Sequence, residues 1–133
     1  MTDTYKISLP LYTCPVMAGF PSPADDYVEL ELNLNEYLIQ NPAATFCVRV
    51  KGNSMEGANI KAGDILLVDR SKPAVSGSVV VAVLEGEFTV KRLAWTEKGT
   101  YLIPEHPGYE PIYIPEDSEF QIWGVVTYTI HKQ

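Results

Sequence analysis

The alternation of apolar and polar residues along the second half of the chain predicts a run of short strands. Residues 46–51 alternate between the two classes, which is the period of a half-buried strand. The continuous apolar runs within 64–69 and 78–84 predict two further strands, the second of them fully apolar. Glu85 and Gly86 then provide a turn into residues 87–93, which predicts a hairpin. Further strands are expected at residues 101–103, 112–114 and 120–130.

One short helix precedes these strands. Asn33 is followed three residues later by Glu36, which is the spacing of a helix N-cap with its capping partner. Pro42 closes this helix after about two turns, because proline cannot continue the hydrogen-bonding pattern. The sequence therefore predicts a mainly β fold with one small helix.

The first eighteen residues differ from the rest of the chain. They contain Pro10 and Pro15 and show neither a helical period nor a clean two-residue period, so we expect an extended arm. The segment that follows contains Pro21 and Pro23. Because each proline lacks a backbone donor and restricts the residue before it, residues 19–26 are expected to form neither a helix nor a central strand.

Composition and charge narrow the classes of function. The chain has 133 residues, of which 46% are hydrophobic and 20% are charged, which suits one domain with a packed core. Ten basic and seventeen acidic residues give a net charge of −7, which argues against direct binding to a phosphate backbone. The longest aliphatic run, 79–84, has six residues, whereas a bilayer-spanning helix needs about 20. We therefore expect no direct contact with nucleic acid and no membrane span.

The cysteines and histidines give no sign of a disulfide framework or a metal site. Cys14 and Cys47 lack metal-ligand neighbours at the usual spacings, and His106 and His131 are too few for a histidine-rich site. We expect reduced thiols in a cytoplasmic protein, with no metal and no cofactor.

The candidate nucleophile is Ser54, which follows a predicted strand and lies between Gly52 and Gly57. Flexible glycines allow a tight turn that exposes a serine hydroxyl and directs backbone N–H groups at one point, as a nucleophile with an oxyanion hole requires. A serine between glycines is more often only a turn residue. Neither histidine is well placed to act as its base, so a lysine remains as the candidate, as in Ser-Lys variants of the catalytic triad.

Lys91 is the candidate base. Lys91 and Arg92 are neighbours on a predicted strand, so their side chains point in opposite directions. An ordinary lysine has a pKa of about 10.4, so a lysine base needs burial to lower its pKa, and the apolar run 79–84 across the turn can supply that burial. The alternative is that both are solvated charges that protect a strand edge.

Four stretches, read together, resemble a known family. They are residues 18–24 (AGFPSPA), 52–55 (GNSM), 63–69 (GDILLVD) and 86–93 (GEFTVKRL), and residues 122–126 also fit. In order and spacing they resemble the UmuD proteins of the bacterial SOS response, within the LexA-type self-cleaving peptidases. The resemblance runs from about residue 9 to residue 130. It implies a domain of twisted antiparallel sheets with one short helix and an extended N-terminal arm.

The resemblance also implies roles for individual residues. Ser54 is expected to be the nucleophile and Lys91 the general base. The scissile bond is expected between Ala18 and Gly19, so that an arm of residues 1–18 is removed from a peptidase and polymerase-accessory domain of residues 19–133. Backbone N–H groups around Ser54 would hold the oxyanion, and Met55 would form a wall of the cleft. Many UmuD proteins carry cysteine where this chain has Ala18, which is closer to LexA and to plasmid-borne relatives.

The family further implies partners. These are a second copy of the chain in a homodimer, a RecA filament on single-stranded DNA that stimulates cleavage, and a UmuC-type Y-family translesion polymerase. Replicative polymerase subunits are a further partner that the family implies. Only eighteen residues precede the expected cut, which leaves no room for the helix-turn-helix domain of LexA-type repressors. Two alternatives stay open. One is a non-catalytic polymerase-interaction module with a vestigial cleft, and the other is a signal-peptidase-like hydrolase, against which the missing membrane anchor counts.

Overall fold

The computed structural model describes residues 7–12 and 28–133, without the side chains of Tyr12, Val28 and Glu29. The chain divides into two compact units, Met1–Gln40 and Asn41–Gln133, and each is considered by itself. The expected scissile bond between Ala18 and Gly19 lies outside the described residues, as do residues 19–26 and Cys14.

The N-terminal unit contains a two-stranded antiparallel sheet and the predicted helix. Strand β1 (Ser8–Tyr12) pairs with β2 (Val28–Asn33), and α1 (Leu34–Leu38) follows directly. The Oδ1 atom of Asn33 accepts a hydrogen bond from the N–H of Glu36 at 3.3 Å, which confirms the predicted N-cap. The helix has five residues and is shorter than the two turns expected.

The two strands of this unit correct the sequence analysis. Residues 8–12 are extended, as predicted, but they form a paired strand, and β2 was not predicted at all. The alternation of β2 is visible in the letters VELELN. The pattern does not stand out as a strand, because acidic residues dominate that part of the chain and strands disfavour glutamate in general.

The C-terminal unit is built on one seven-stranded antiparallel sheet with the strand order β3-β4-β9-β5-β6-β7-β8. Its predicted strands are confirmed with small shifts at their ends. The bounds are β3 (Thr45–Arg49), β4 (Ile65–Asp69), β5 (Val79–Leu84), β6 (Glu87–Thr96), β7 (Gly99–Ile103), β8 (Ile112–Ile114) and β9 (Phe120–Ile130). Strand β6 runs three residues further than expected, because Thr96 still pairs with Gly99 of β7.

Apolar side chains pack in two separate clusters. One contains Val50, Met55, Ile60, Leu66, Val68 and Val81. The other contains Val80, Ala82, Leu93, Leu102, Ile114 and Val125. The neighbours Val80 and Val81 on β5 belong to different clusters, so this strand is buried on both faces, which explains its continuous apolar run.

The predicted hairpin sets the register of β6. Glu85 and Gly86 have φ angles of 49° and 81°, and two left-handed residues in a row are the signature of a tight two-residue hairpin turn. The turn places Leu84 opposite Glu87 and, further along, Val80 opposite Lys91. The candidate base therefore lies beside the apolar strand, as expected.

Three further features concern the described residues only. None of the helices there is long and apolar enough to cross a bilayer. No group of three or more His, Cys, Asp or Glu side chains lies together as metal ligands would in residues 7–12 and 28–133. Cys47 is a free and exposed thiol.

Candidate active site

Ser54 lies in a turn that is anchored at both ends by buried side chains. The backbone of Val50 closes the base of the turn, since its N–H donates to the carbonyl of Asp64 at 2.8 Å and its carbonyl accepts from Gly63 at 2.9 Å. Met55 and Ile60 are only 2% and 3% exposed and pack in the first apolar cluster. These contacts hold the backbone of the turn on the core while the Ser54 side chain lines a cleft.

Lys91 reaches this serine from β6. Its Nζ atom lies 3.0 Å from Ser54 Oγ, although the two residues are 37 positions apart. The same Nζ donates to Thr89 Oγ1 at 2.7 Å and to the carbonyl of Val90 at 3.1 Å. The structure thus brings together the serine and the lysine that the sequence analysis singled out.

The three oxygen partners of Lys91 Nζ can be satisfied by either protonation state of the amine. A neutral amine has two N–H donors and one lone pair. An ammonium donates to all three oxygen atoms, whereas a neutral amine that donates to Thr89 Oγ1 and the Val90 carbonyl keeps its lone pair for the hydroxyl of Ser54. The group can therefore accept a proton from Ser54 without breaking its other hydrogen bonds.

The surroundings of Lys91 favour its neutral form. Partial burial lowers the pKa of Lys91, because desolvation penalises the charged state. The ion pairs seen within the described residues leave Lys91 out, and they join Arg92 to Glu105, His106 to Glu56 and His131 to Asp64. Lys91 is therefore partly desolvated with no counter-charge in the part of the chain that the structure describes, whereas its neighbour Arg92 is paired with Glu105.

Ser54 and Lys91 line a cleft of about 560 Å³. Part of its wall is aromatic, since the Trp123 ring meets the rings of Phe46 and Phe88 edge-on at centroid distances of 6.1 Å and 5.0 Å. The lining residues are Phe46, Cys47, Val48, Arg49, Val50, Lys51, Gly52, Ser54, Met55, Val81, Phe88, Thr89, Val90, Lys91 and Trp123. Apolar walls with a few convergent polar groups are the usual composition of a binding pocket.

Two residues of the site escaped the sequence analysis. Thr89 lies two positions before Lys91 on the same strand, so that its side chain shares a face with the lysine. That spacing was a usable signal. Glu105 holds the backbone of the Ser54 turn through contacts across 51 positions, and no local pattern marks such a contact. Met55 lines the cleft and is buried.

Comparison with known proteins assigns the family. The family model described as "Peptidase S24-like" matches residues 10–127. The chain is 48% identical to Protein MucA of Escherichia coli over 124 residues, covering 92% of this chain and 84% of MucA. It is 50% identical to Protein SamA of Salmonella typhimurium over 130 residues, covering 98% of this chain and 90% of SamA.

A more distant relative extends the comparison. The LexA repressor of Bordetella avium is 38% identical over 110 residues, which cover 83% of this chain and 51% of the repressor. These matches confirm the predicted resemblance to the UmuD-type proteins and the LexA-type peptidases, and with it the mainly β fold class. Together with the match over residues 10–127, they show that the chain belongs to the peptidase S24-like family.

Proposed function

We propose that the protein is a serine peptidase that cuts its own chain between Ala18 and Gly19, with Ser54 as nucleophile and Lys91 as general base. The observation that carries the proposal is the 3.0 Å contact between Lys91 Nζ and Ser54 Oγ. The cleft around this contact and the membership of the S24-like family support it.

The proposed reaction begins with proton transfer. Neutral Lys91 takes the proton of Ser54 Oγ while that oxygen attacks the carbonyl carbon of Ala18. Backbone N–H groups around Ser54 stabilise the resulting oxyanion. The Lys91 ammonium then gives its proton to the amide nitrogen of Gly19, and the bond between Ala18 and Gly19 breaks. Ala18 remains joined to Ser54 as an ester.

The second half of the reaction releases the arm. Lys91, neutral again, takes a proton from a water molecule that attacks the ester carbonyl. The ester breaks, Ser54 recovers its proton, and residues 1–18 leave with a new carboxylate on Ala18. Small side chains on both sides of the bond suit entry into a narrow cleft.

The rate of this reaction depends on the charge of Lys91. Only the neutral amine accepts a proton, so cleavage accelerates as the pH rises through the pKa of Lys91. Burial lowers that pKa and brings the active form closer to neutral pH. Mildly alkaline buffer is therefore expected to speed spontaneous cleavage.

The biological setting we propose is SOS mutagenesis in the bacterial cytoplasm. A RecA filament on single-stranded DNA would favour the state in which the arm occupies the cleft, without adding catalytic groups. The trimmed protein, as a dimer, would then act as an accessory subunit of a UmuC-type polymerase. The identity to MucA and SamA over most of the chain supports this setting. The net charge of −7 suits a mediator that reaches DNA through its partners.

The test compares wild-type protein with Ser54→Ala in the presence of RecA, single-stranded DNA and a nucleotide. We expect mass spectrometry to show loss of residues 1–18 from the wild type and from the control Ser118→Ala, whose serine lies in a surface turn. Ser54→Ala is expected to stay intact. Cleavage of Ser54→Ala at the wild-type rate would contradict the mechanism, and an intact wild type under all conditions would favour the non-catalytic interaction module.

A further inference from the structure

We propose that Arg92 and Glu105 are positioning residues, whose ion pair holds the strand of Lys91 and the turn of Ser54 in the geometry that cleavage needs. This inference rests on the proposed function, because it concerns the same serine and lysine. Neither Arg92 nor Glu105 contacts Ser54 Oγ or Lys91 Nζ.

The backbone of Glu105 forms two hydrogen bonds with the Ser54 turn. Its N–H donates to the carbonyl of Ser54 at 2.7 Å, and its carbonyl accepts from the N–H of Gly57 at 2.7 Å. A third contact follows four residues later, where the Tyr109 hydroxyl donates to Asn53 Oδ1 at 2.8 Å. The position of the nucleophile is therefore set from outside its own turn.

Gly57 shows how closely the two segments approach. A Cβ atom at this position would lie 2.6 Å from the Glu105 carbonyl oxygen, which is inside van der Waals contact. Backbone therefore meets backbone here, and a shift of Glu105 is transmitted to the Ser54 turn without a flexible side chain in between.

The side chain of Glu105 reaches the strand of the base. Its Oε1 atom lies 2.6 Å from Arg92 Nε, and Arg92 also donates to the carbonyl of Gly77 at 2.5 Å. Arg92 follows Lys91 directly on β6, and the two side chains diverge to Glu105 and Ser54. Glu105 thus contacts the nucleophile turn through its backbone and the base strand through its carboxylate.

These contacts connect four residues in a ring. Ser54 contacts Lys91, Lys91 is followed in the chain by Arg92, Arg92 pairs with Glu105, and Glu105 donates to the Ser54 carbonyl. The Arg92 and Glu105 side chains are 36% and 32% exposed, and ion pairs at such positions contribute little to stability. Their geometric effect is larger, because a displacement of about 1 Å at reacting groups can slow a reaction by roughly 100-fold. The pair is therefore expected to matter for rate more than for folding.

The experiment measures spontaneous self-cleavage of the full chain across a series of alkaline pH values. The variants are Arg92→Gln, Glu105→Gln, and the double variant that exchanges the two charges, Arg92→Glu with Glu105→Arg. We expect each single variant to lower the plateau rate at high pH by roughly tenfold, with a melting temperature near that of the wild type. The exchanged pair is expected to recover part of the loss. Glu116→Gln, an exposed glutamate elsewhere, is the control for charge alone.

The pH profile separates positioning from electrostatics. Arg92→Gln and Glu105→Gln change the local charge in opposite directions, so an electrostatic effect on Lys91 would move the midpoint of the profile in opposite directions. A positioning effect lowers the plateau in both. Three results would each overturn the inference. The first is a plateau rate within twofold of the wild type, and the second is a pair of opposite midpoint shifts at an unchanged plateau. The third is a loss of rate together with a large fall in melting temperature, neither of which the exchanged pair restores. A wild type that shows no Ser54-dependent cleavage would instead refute the proposed function itself.

Discussion

Two charged side chains of the C-terminal unit, Asp64 and Lys91, lie in contrasting environments. Asp64 is 4% exposed, accepts a hydrogen bond from the N–H of Lys61 at 2.8 Å and contacts His131 Nδ1 at 2.6 Å. Lys91 is only partly buried, and its nearest partners are uncharged oxygen atoms. The partners of Asp64 favour its ionised form, whereas Lys91 is partly removed from water and has no counter-charge among residues 7–12 and 28–133.

The pKa values of Asp64 and Lys91 are both lowered, but the shift stabilises the charged form of the acid and destabilises the charged form of the base. For Asp64, the Lys61 N–H first and then His131 lower the pKa, which stabilises the charged form. For Lys91, burial lowers the pKa, which destabilises the charged form. The contacts of Asp64 stabilise the fold with its carboxylate ionised, whereas the partial burial of Lys91 makes its charged form less stable. The difference between the two sites distinguishes a structural charge from a candidate catalytic one.

The largest expected effect is the loss of the Lys91 amine. Lys91→Met and Lys91→Arg should each slow self-cleavage by about 1,000-fold or more, because neither side chain can accept the Ser54 proton near neutral pH. Lys91→Met should fold at least as stably as the wild type, since it removes a charge that burial disfavours. Cleavage followed by mass spectrometry, together with thermal melting, measures both effects.

Lys98→Arg is the matched control for that experiment, because Lys98 is exposed and lies beyond the cleft. It should cleave like the wild type. If Lys91→Arg also cleaved at the wild-type rate, or if Lys91→Met melted far below the wild type, Lys91 would have to be regarded as a structural charge like Asp64.

The sequence predicted the fold of the C-terminal unit well, for a physical reason. Most of its strands are short, glycine and proline turns separate them, and their apolar positions are half or fully buried, so that local periodicity reflects the core directly. The hairpin at Glu85 and Gly86 follows from turn chemistry alone. Strand β2 escaped because its polar positions are acidic, and β1 escaped because its pairing partner lies sixteen or more positions away along the chain.

The candidate site was only partly predictable. The flanking glycines marked Ser54, and the apolar run on the opposite strand marked Lys91. Their contact across 37 positions was expected only from the family resemblance. The carboxylate and backbone of Glu105 act at long range from a segment that reads as an ordinary turn. Sequence patterns describe neighbours along the chain, so contacts that join distant turns are accessible only from the structure.

A smaller effect is expected when Lys91 loses one of its neutral partners. Thr89→Val keeps the shape of the side chain but removes the oxygen that accepts from Lys91 Nζ at 2.7 Å. The amine then loses one of the contacts that direct its lone pair at Ser54, so self-cleavage should slow roughly tenfold. Thr89→Ser keeps the hydroxyl and is expected to retain most of the rate. Equal rates for the valine and serine variants would show that the oxygen of Thr89 has no role in orienting the base.

The smallest expected effect on cleavage, and a clear one on stability, comes from Asp64→Asn. The folded-state pKa of Asp64 lies below its ordinary value of 3.8, so its stabilisation is complete above that value and is lost as the pH falls through the lowered pKa. Asp64→Asn should therefore melt a few degrees below the wild type at pH 7, and the gap should narrow under strongly acidic conditions.

The exposed Asp117 provides the control, since Asp117→Asn removes an equal charge outside these contacts. Self-cleavage of Asp64→Asn at neutral pH should stay within about twofold of the wild type, because the carboxylate of Asp64 contacts Lys61 and His131 and does not contact Lys91. A gap in melting temperature that persisted unchanged into acid would show that packing, and not the ionised carboxylate, makes this position important. A large loss of cleavage would show that the two charges are coupled through the base of the Ser54 turn, where the Asp64 carbonyl accepts from Val50.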